Sequence, residues 1–128
     1  MMIGYVTIGA LDGEKSGVFY DAVFGEMGCE RKFKDGGWIG YGARGQEGHE
    51  VYVVSQTADG KPARAGNGIM ISFKVTGKAE VAAAYKAGLA HGGTDEGAPG
   101  PRPADSTTFY GAYLRDPTGN KICVYCKP

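Results

Sequence analysis

The side chains with the richest chemistry in this 128-residue chain are three cysteines, two histidines and eight tyrosines. Cys123-Val124-Tyr125-Cys126 has the C-x-x-C form of redox dithiols and zinc sites, but it lies in an apolar run that reads as a strand. A strand sets the two α-carbons roughly 10 Å apart and sends the side chains to opposite faces, beyond disulfide reach. No second Cys pair or His pair accompanies it, so neither a dithiol nor a zinc site is expected. An odd cysteine count fits a reducing compartment. His91 falls where a helix closes, a place that suits imidazole at the dipole's negative end. His49 stands just before Glu50 at a strand entrance, and its parity relative to Tyr52 points it to the surface.

Acid–base chemistry is then left to Glu50, Tyr5 and Tyr52. Lys121 stands at the place in the second half that Glu50 takes in the first, and would pair with it or hold an anionic group. Arg102, within Pro99-Gly100-Pro101-Arg102-Pro103, sits on a stiffened stretch able to fold over an opening. Cys123 as a thiolate nucleophile lacks an adjacent base. Gly36-Gly37 and Gly92-Gly93 are not phosphate-cradling loops, because neither has the Lys/Ser pattern and following helix that such loops need.

Two amphipathic segments and a set of strands must position these groups. Asp12 caps a helix carrying Val18, Phe19, Ala22, Val23 and Met27, with Gly28 as its stop. A second helix runs from about Lys78 to His91 with Val81, Ala84, Tyr85 and Leu89 on one face and Gly92-Gly93 as its stop. Alternating strands precede each, around Ile3, Val6 and Ile8 and around Ile69, Ile71, Phe73 and Val75. A shift of 65 positions carries Tyr20 onto Tyr85, Ala22 onto Ala87 and Gly28 onto Gly93, so the chain reads as a duplication. Further strands are expected at Cys29–Phe33, Trp38–Gly42 and Glu50–Gln56, then at Phe109–Arg115 and Asn120–Cys126. The Pro- and Gly-rich stretch 97–107 cannot be a central strand and reads as a loop over a site.

Each half is thus a strand, a helix and a group of antiparallel strands, too small to close a core alone. The class is α+β, one domain of two modules over residues 1–60 and 66–128. With one face of each sheet under its helix, the other faces are free to curve around a shared cavity. Parity places Tyr5, Thr7, Glu50, Tyr52 and Val54 on that wall, with Met70, Ser72, Lys121, Cys123 and Tyr125 from the second half. This mix of aromatic and polar groups suits a small organic ligand. Which of Trp38, Tyr41, Phe109, Tyr110 and Tyr113 face the cavity stays open, because strand glycines beside them shift parity when they form bulges.

Composition narrows the partners. Fourteen basic residues balance fourteen acidic ones, leaving no field to hold nucleic acid or anionic lipid. No segment approaches the roughly 20 apolar residues of a membrane span, and Met1 to Ala10 lacks a basic leader region. A cytoplasmic protein is expected.

Four pieces in order, Met2-Ile3-Gly4-Tyr5-Val6-Thr7-Ile8, Phe19-Tyr20-Asp21-Ala22-Val23-Phe24, Gly66-Asn67-Gly68-Ile69-Met70-Ile71-Ser72-Phe73 and Arg115-Asp116-Pro117-Thr118-Gly119-Asn120-Lys121-Ile122, resemble the vicinal oxygen chelate superfamily. This is the group of glyoxalases, bleomycin-resistance proteins and extradiol dioxygenases. The resemblance implies two βαβββ modules in a curved mixed sheet around a cup, with a divalent metal held by His or Glu from equivalent strands and acting as a Lewis acid. By the same resemblance the ligand positions fall on Tyr5, Tyr52, Met70 and Cys123. None is His or carboxylate, so no catalytic metal and no cofactor is expected. The expected function is binding of a small aromatic or cationic molecule through Tyr5, Thr7, Tyr52, Met70, Ser72, Arg102, Cys123 and Tyr125. The alternatives are a lyase, isomerase or dioxygenase-type enzyme, or an oligomeric module with a vestigial cavity. Family members commonly dimerise, so a homodimer is expected.

Overall fold

The computed structural model describes residues 2–128. Its chain order is β1 (Val6–Gly9), α1 (Gly13–Gly25), β2 (Cys29–Asp35), β3 (Trp38–Ala43) and β4 (Val51–Val54), then β5 (Met70–Lys74), α2 (Lys78–Ala90), β6 (Thr94–Pro101), β7 (Tyr110–Arg115) and β8 (Lys121–Cys126). The duplication read from the sequence is therefore a duplication of βαβββ units. Each unit makes its own four-stranded sheet, in the orders β1-β4-β3-β2 and β5-β8-β7-β6. In each, the strand before the helix pairs in parallel with the last strand, Thr7 opposite Tyr52 and Ser72 opposite Cys123. The remaining pairs are antiparallel.

Local chemistry explains the helix starts. The Asp12 carboxylate accepts from the Glu14 and Lys15 backbone N–H groups at 3.0 and 3.1 Å, satisfying two donors that the first turn would leave free. Gly77 offers no side-chain cap to α2, and Glu80 reaches back instead to the Thr76 backbone N–H at 3.3 Å and to the Thr76 hydroxyl.

Both helices lie on the inner faces of their sheets and also pack on each other, so one core serves both modules. Ile8, Phe19, Tyr20, Val23, Ile39, Tyr41 and Val53 join Val81, Ala84, Leu114, Ile122 and Val124 in that core. Each such fully buried apolar side chain contributes about 1.5–3 kcal/mol by leaving water. The buried face of α1 is Ser16, Gly17, Phe19, Tyr20, Val23 and Phe24, a quarter-turn from the stripe expected through Val18, which faces solvent. In α2 the buried set is Val81, Ala84 and Gly88, with Leu89 outside. The reason is helix–helix contact: α1 and α2 approach so closely at Gly88 that a methyl there would lie 2.7 Å from Leu114 Cδ1 and 3.1 Å from the Phe19 ring.

The hairpin between β7 and β8 locks the halves together. Asp116, 4% exposed, accepts through one oxygen from the Thr118, Gly119 and Asn120 backbone N–H groups at 2.9–3.0 Å. Its other oxygen accepts from the Tyr20 hydroxyl at 2.7 Å and from Asn120 Nδ2 at 2.9 Å. Asn120 Nδ2 also donates to the Gly9 carbonyl at 2.8 Å, and the Leu11 N–H donates to Thr118 Oγ1 at 3.0 Å.

The stretch expected as a loop over 97–107 is corrected in part. Residues up to Pro101 belong to β6, which pairs with β7 through register shifts at Gly97 and Gly100. An outermost strand tolerates Pro99 and Pro101 because one side of it needs no N–H donors. Only residues 102–109 form the loop. No helix among the described residues is long and apolar enough to cross a membrane.

Candidate ligand-binding site

In the sheets Tyr52, Cys123 and Tyr125 alternate with Val53, Ile122 and Val124 of the core, while Glu50 and Ser72 line a cleft with Phe24 and Phe73. On the first sheet, Tyr52 is the centre of an aromatic cluster. The rings of Tyr5, Trp38, His49 and Phe33 lie around it at centroid distances of 5.4, 5.7, 5.3 and 6.1 Å, three of them edge-on. Edge-to-face packing sets the positive ring edge against the negative face, and each such pair adds about 0.5–1.5 kcal/mol beyond its burial. Phe33 reaches the cluster by lying over Gly40, where any Cβ would come 2.3 Å from its ring. Tyr5 remains 64% exposed and Trp38 partly exposed, so the cluster presents open ring surface.

His49 is exposed, as expected, yet it lies against Tyr52 and not away from it. It lies outside β4, whose alternation begins at Val51, so parity does not govern it. Gly42 has no side chain where the Gly48 carbonyl passes, and the chain crosses there closely enough to turn His49 onto the sheet. The imidazole Nδ1 meets the Tyr52 hydroxyl, and its ring packs on Phe33 at 5.2 Å. A short alternating run foretells none of this, because the signal is a glycine on the neighbouring strand β3, outside the run that ends in the histidine it positions.

On the second sheet Cys123 lies between Ser72 and Tyr113, its register partners on either side. It is 1% exposed. Burial pushes its thiol pKa up, while the Ser72 and Tyr113 hydroxyls and then Arg102 and Lys121 oppose that rise. The thiol stays protonated at neutral pH and is no ready nucleophile. Burial, followed by the nearby Cys123, likewise raises the Tyr113 phenol. Tyr125 is stacked under Phe109 at 5.1 Å with planes 13° apart. Arg102 and Lys121 lie over the Tyr113 ring at 5.5 and 5.6 Å. Met70 is 41% exposed, and Ser72 is exposed. Of the middle-strand aromatics, Trp38, Phe109 and Tyr113 stand on the open faces, while Tyr41 and Tyr110 pack into the helix side.

The outer strands β1 and β5 belong to separate sheets, and the two modules meet at a cleft that residues of both line. This cleft, of about 190 Å³, brings Thr7 and Lys121 together with Arg64, Ile69 and Asn120. A second of about 460 Å³ brings Glu50 to Ser72 and Lys74. Among the described residues no ring contact or hydrogen bond joins Tyr5 or Tyr52 to Met70 or Cys123. No three His, Cys, Asp or Glu side chains converge among them either. Two phenols, a thioether and a protonated thiol are a poor donor set for zinc, iron or manganese, which take imidazole, carboxylate or several thiolates.

Two four-stranded mixed sheets, each built from a βαβββ unit, with helices on one face and a wall of rings on the other, define a glyoxalase-like fold. The model of the Glyoxalase/Bleomycin resistance protein/Dioxygenase superfamily matches residues 2–124, and the chain belongs to that superfamily. A glyoxalase/bleomycin resistance protein from Albidiferax ferrireducens T118 is 33% identical, with a TM-score of 0.87 over 99% of this chain and 100% of that one. A glyoxalase-related enzyme from Fulvimarina pelagi, 22% identical, shares the fold at a TM-score of 0.74 over 100% and 89% of the two chains. Lactoylglutathione lyase from Agrobacterium tumefaciens, 23% identical, does so at 0.64 over 97% and 92%. No curated protein matches.

Proposed function

We propose that this protein binds a small organic molecule with a planar aromatic part against the Tyr5, Trp38 and Tyr52 wall, with no metal ion and no bond made or broken. The observation that supports this reading is the ring cluster around Tyr52, with open surface on Tyr5 and Trp38. Exposed π faces take up aromatic rings or cations and lose water in doing so. Thr7 and Ser72 would supply hydroxyls at the margins, and Met70 an adaptable apolar contact.

The single tryptophan is part of the wall, so its fluorescence reports occupancy directly. Titration with benzamide is expected to quench Trp38 along a saturating curve, and Tyr52→Ala to weaken binding roughly tenfold, as loss of a central aromatic anchor does. EDTA is expected to leave the curve unchanged. A quench linear in benzamide and identical in the variant, or binding lost to EDTA and restored by zinc, would sink the proposal.

A second reading has one observation in its favour, the His49–Tyr52 contact. An imidazole on a phenol can relay a proton, and an enzyme of this superfamily using Tyr52 as acid or base would lose turnover in Tyr52→Phe while keeping its fold. Association of two copies would cover Met2, Ile3, Ile69 and Met70, which are large apolar side chains open to solvent. Light scattering on the eluting protein is expected to return twice the 13.4 kDa chain mass.

A further inference from the structure

We propose that the open face of the second sheet is an oxyanion subsite, formed by Arg102 and Lys121 around Tyr113, and that the bound molecule is a small organic acid bearing a carboxylate or phosphoryl group. This rests on the aromatic-wall reading above and adds to it the charge of the ligand.

Arg102 is held in place by several features of the fold. Its Nη1 donates to the Pro101 carbonyl at 3.0 Å and its Nη2 to the Ala98 carbonyl at 2.7 Å. The guanidinium lies in a trough that exists because residues 97 and 100 are glycines. A Cβ at Gly97 would meet Nη2 at 3.2 Å, and one at Gly100 would meet Nη1 at 2.9 Å. Beneath it is the Tyr113 ring. The side chain is thus immobilised before any ligand arrives, with Nε and the second protons of both Nη atoms still to be satisfied.

Lys121 approaches the same ring from the neighbouring strand β8, 5.6 Å from its centroid. A tyrosine ring stabilises a cation by only about 0.5–2 kcal/mol. A carboxylate would be the ordinary partner, yet among the described residues neither cation forms a salt bridge. Glu96, whose carboxyl pKa is held down by Arg115 and to a lesser degree by Lys121, is engaged with Arg115 at 2.8 Å. Both cations also pull the Cys123 thiol pKa down against the effect of its burial. The exposed Ser72 hydroxyl beside Cys123 adds a neutral donor, and Lys121 opens into the same cleft as Thr7 from the first sheet. A fixed guanidinium fork with an ammonium and hydroxyls alongside is matched to the paired oxygens of a carboxylate or phosphoryl group.

Amide chemical shifts of the ¹⁵N-labelled protein, followed in low-salt buffer with four probes sharing one ring, test this. Benzoate and phenylphosphonate carry the oxyanion, benzamide is neutral, and benzyltrimethylammonium is cationic. The acids are expected to move the Gly97, Gly100 and Lys121 amides along saturating curves and to bind about tenfold tighter than benzamide. Whichever acid is preferred identifies the oxyanion class, and either order supports the subsite. Arg102→Gln is expected to erase the advantage of the acids without touching benzamide, and Arg102→Lys to restore part of it; the same spectra show that both variants are folded. The subsite is wrong if benzamide or benzyltrimethylammonium binds as tightly as the acids, or if Arg102→Gln leaves benzoate unaffected. Should benzamide still quench Trp38 in that case, the aromatic wall survives alone. If none of the four probes perturbs the protein at about 10 mM, both proposals fall.

Discussion

Asp116→Ala is expected to destabilise the protein by at least about 3 kcal/mol, because one carboxylate accepts from three backbone N–H groups, the Tyr20 hydroxyl and the Asn120 amide. Hydrogen bonds to a charged acceptor contribute about 1.5–3 kcal/mol each, and the figure is set low because the hairpin is only partly buried. In thermal unfolding the midpoint should fall by roughly 10 °C or more. Tyr20→Phe removes one donor and leaves the others, so its loss should be about 1–2 kcal/mol. The two effects share a bond, and the double variant should therefore be less destabilised than their sum by about 1 kcal/mol. Additive losses would mean that Tyr20 and Asp116 act independently. More than stability is at stake: Asn120 and Thr118 reach Gly9 and Leu11 on the first module, so releasing the hairpin also loosens the link between the two modules.

Gly88→Val is the other large effect. The residue lies where α1, α2 and β7 meet, with Leu114, Phe19 and Val23 inside 3.2 Å of any added methyl. Overpacking a full core costs about 1–3 kcal/mol, and a branched side chain at the closest point of two helices belongs at the upper end. Gly25→Ala is the matched control in α1, where nothing lies within 4 Å of the added carbon. There the helix preference of alanine should appear unopposed as a gain of up to about 1 kcal/mol. Urea unfolding of both variants checks the pair, and equal midpoints would refute the close approach.

The same glycine explains where the sequence misled. Val81, Ala84 and Leu89 satisfy a helical period, and so does Val18 with Phe19 and Val23, but hydropathy counts side chains and gives no weight to their absence. The true contact faces are centred on Gly88 and Gly17, where the lack of a side chain lets another element approach. Alternation, by contrast, separated Tyr52, Cys123 and Tyr125 from the core residues Val53, Ile122 and Val124 beside them, because period two follows directly from strand geometry. Parity gave no purchase on His49 or Arg102, which stand beyond their strands and are steered by Gly42, Gly97 and Gly100. The Asp116-Pro117-Thr118-Gly119-Asn120 turn was legible as a turn. Its grip on the other module was not, since that depends on contacts 96 to 111 residues away in the chain.

The prolines of β6 have a consequence for how copies of this protein meet. An outer strand with free N–H and C=O groups invites another chain to extend the sheet, the first step toward insoluble fibrils. Pro99 and Pro101 withhold donors along the outer border of the second sheet, and the two register shifts bend that border out of line. At the opposite border β5 is five residues long; in the first sheet the edge strand β1 has four, and the other edge, β2, carries Glu30, Arg31, Lys32, Lys34 and Asp35 and a register shift between Arg31 and Phe33. Self-recognition is thereby confined to finite contacts between side chains, and a concentrated solution should stay clear where an unprotected pair of sheets would gel.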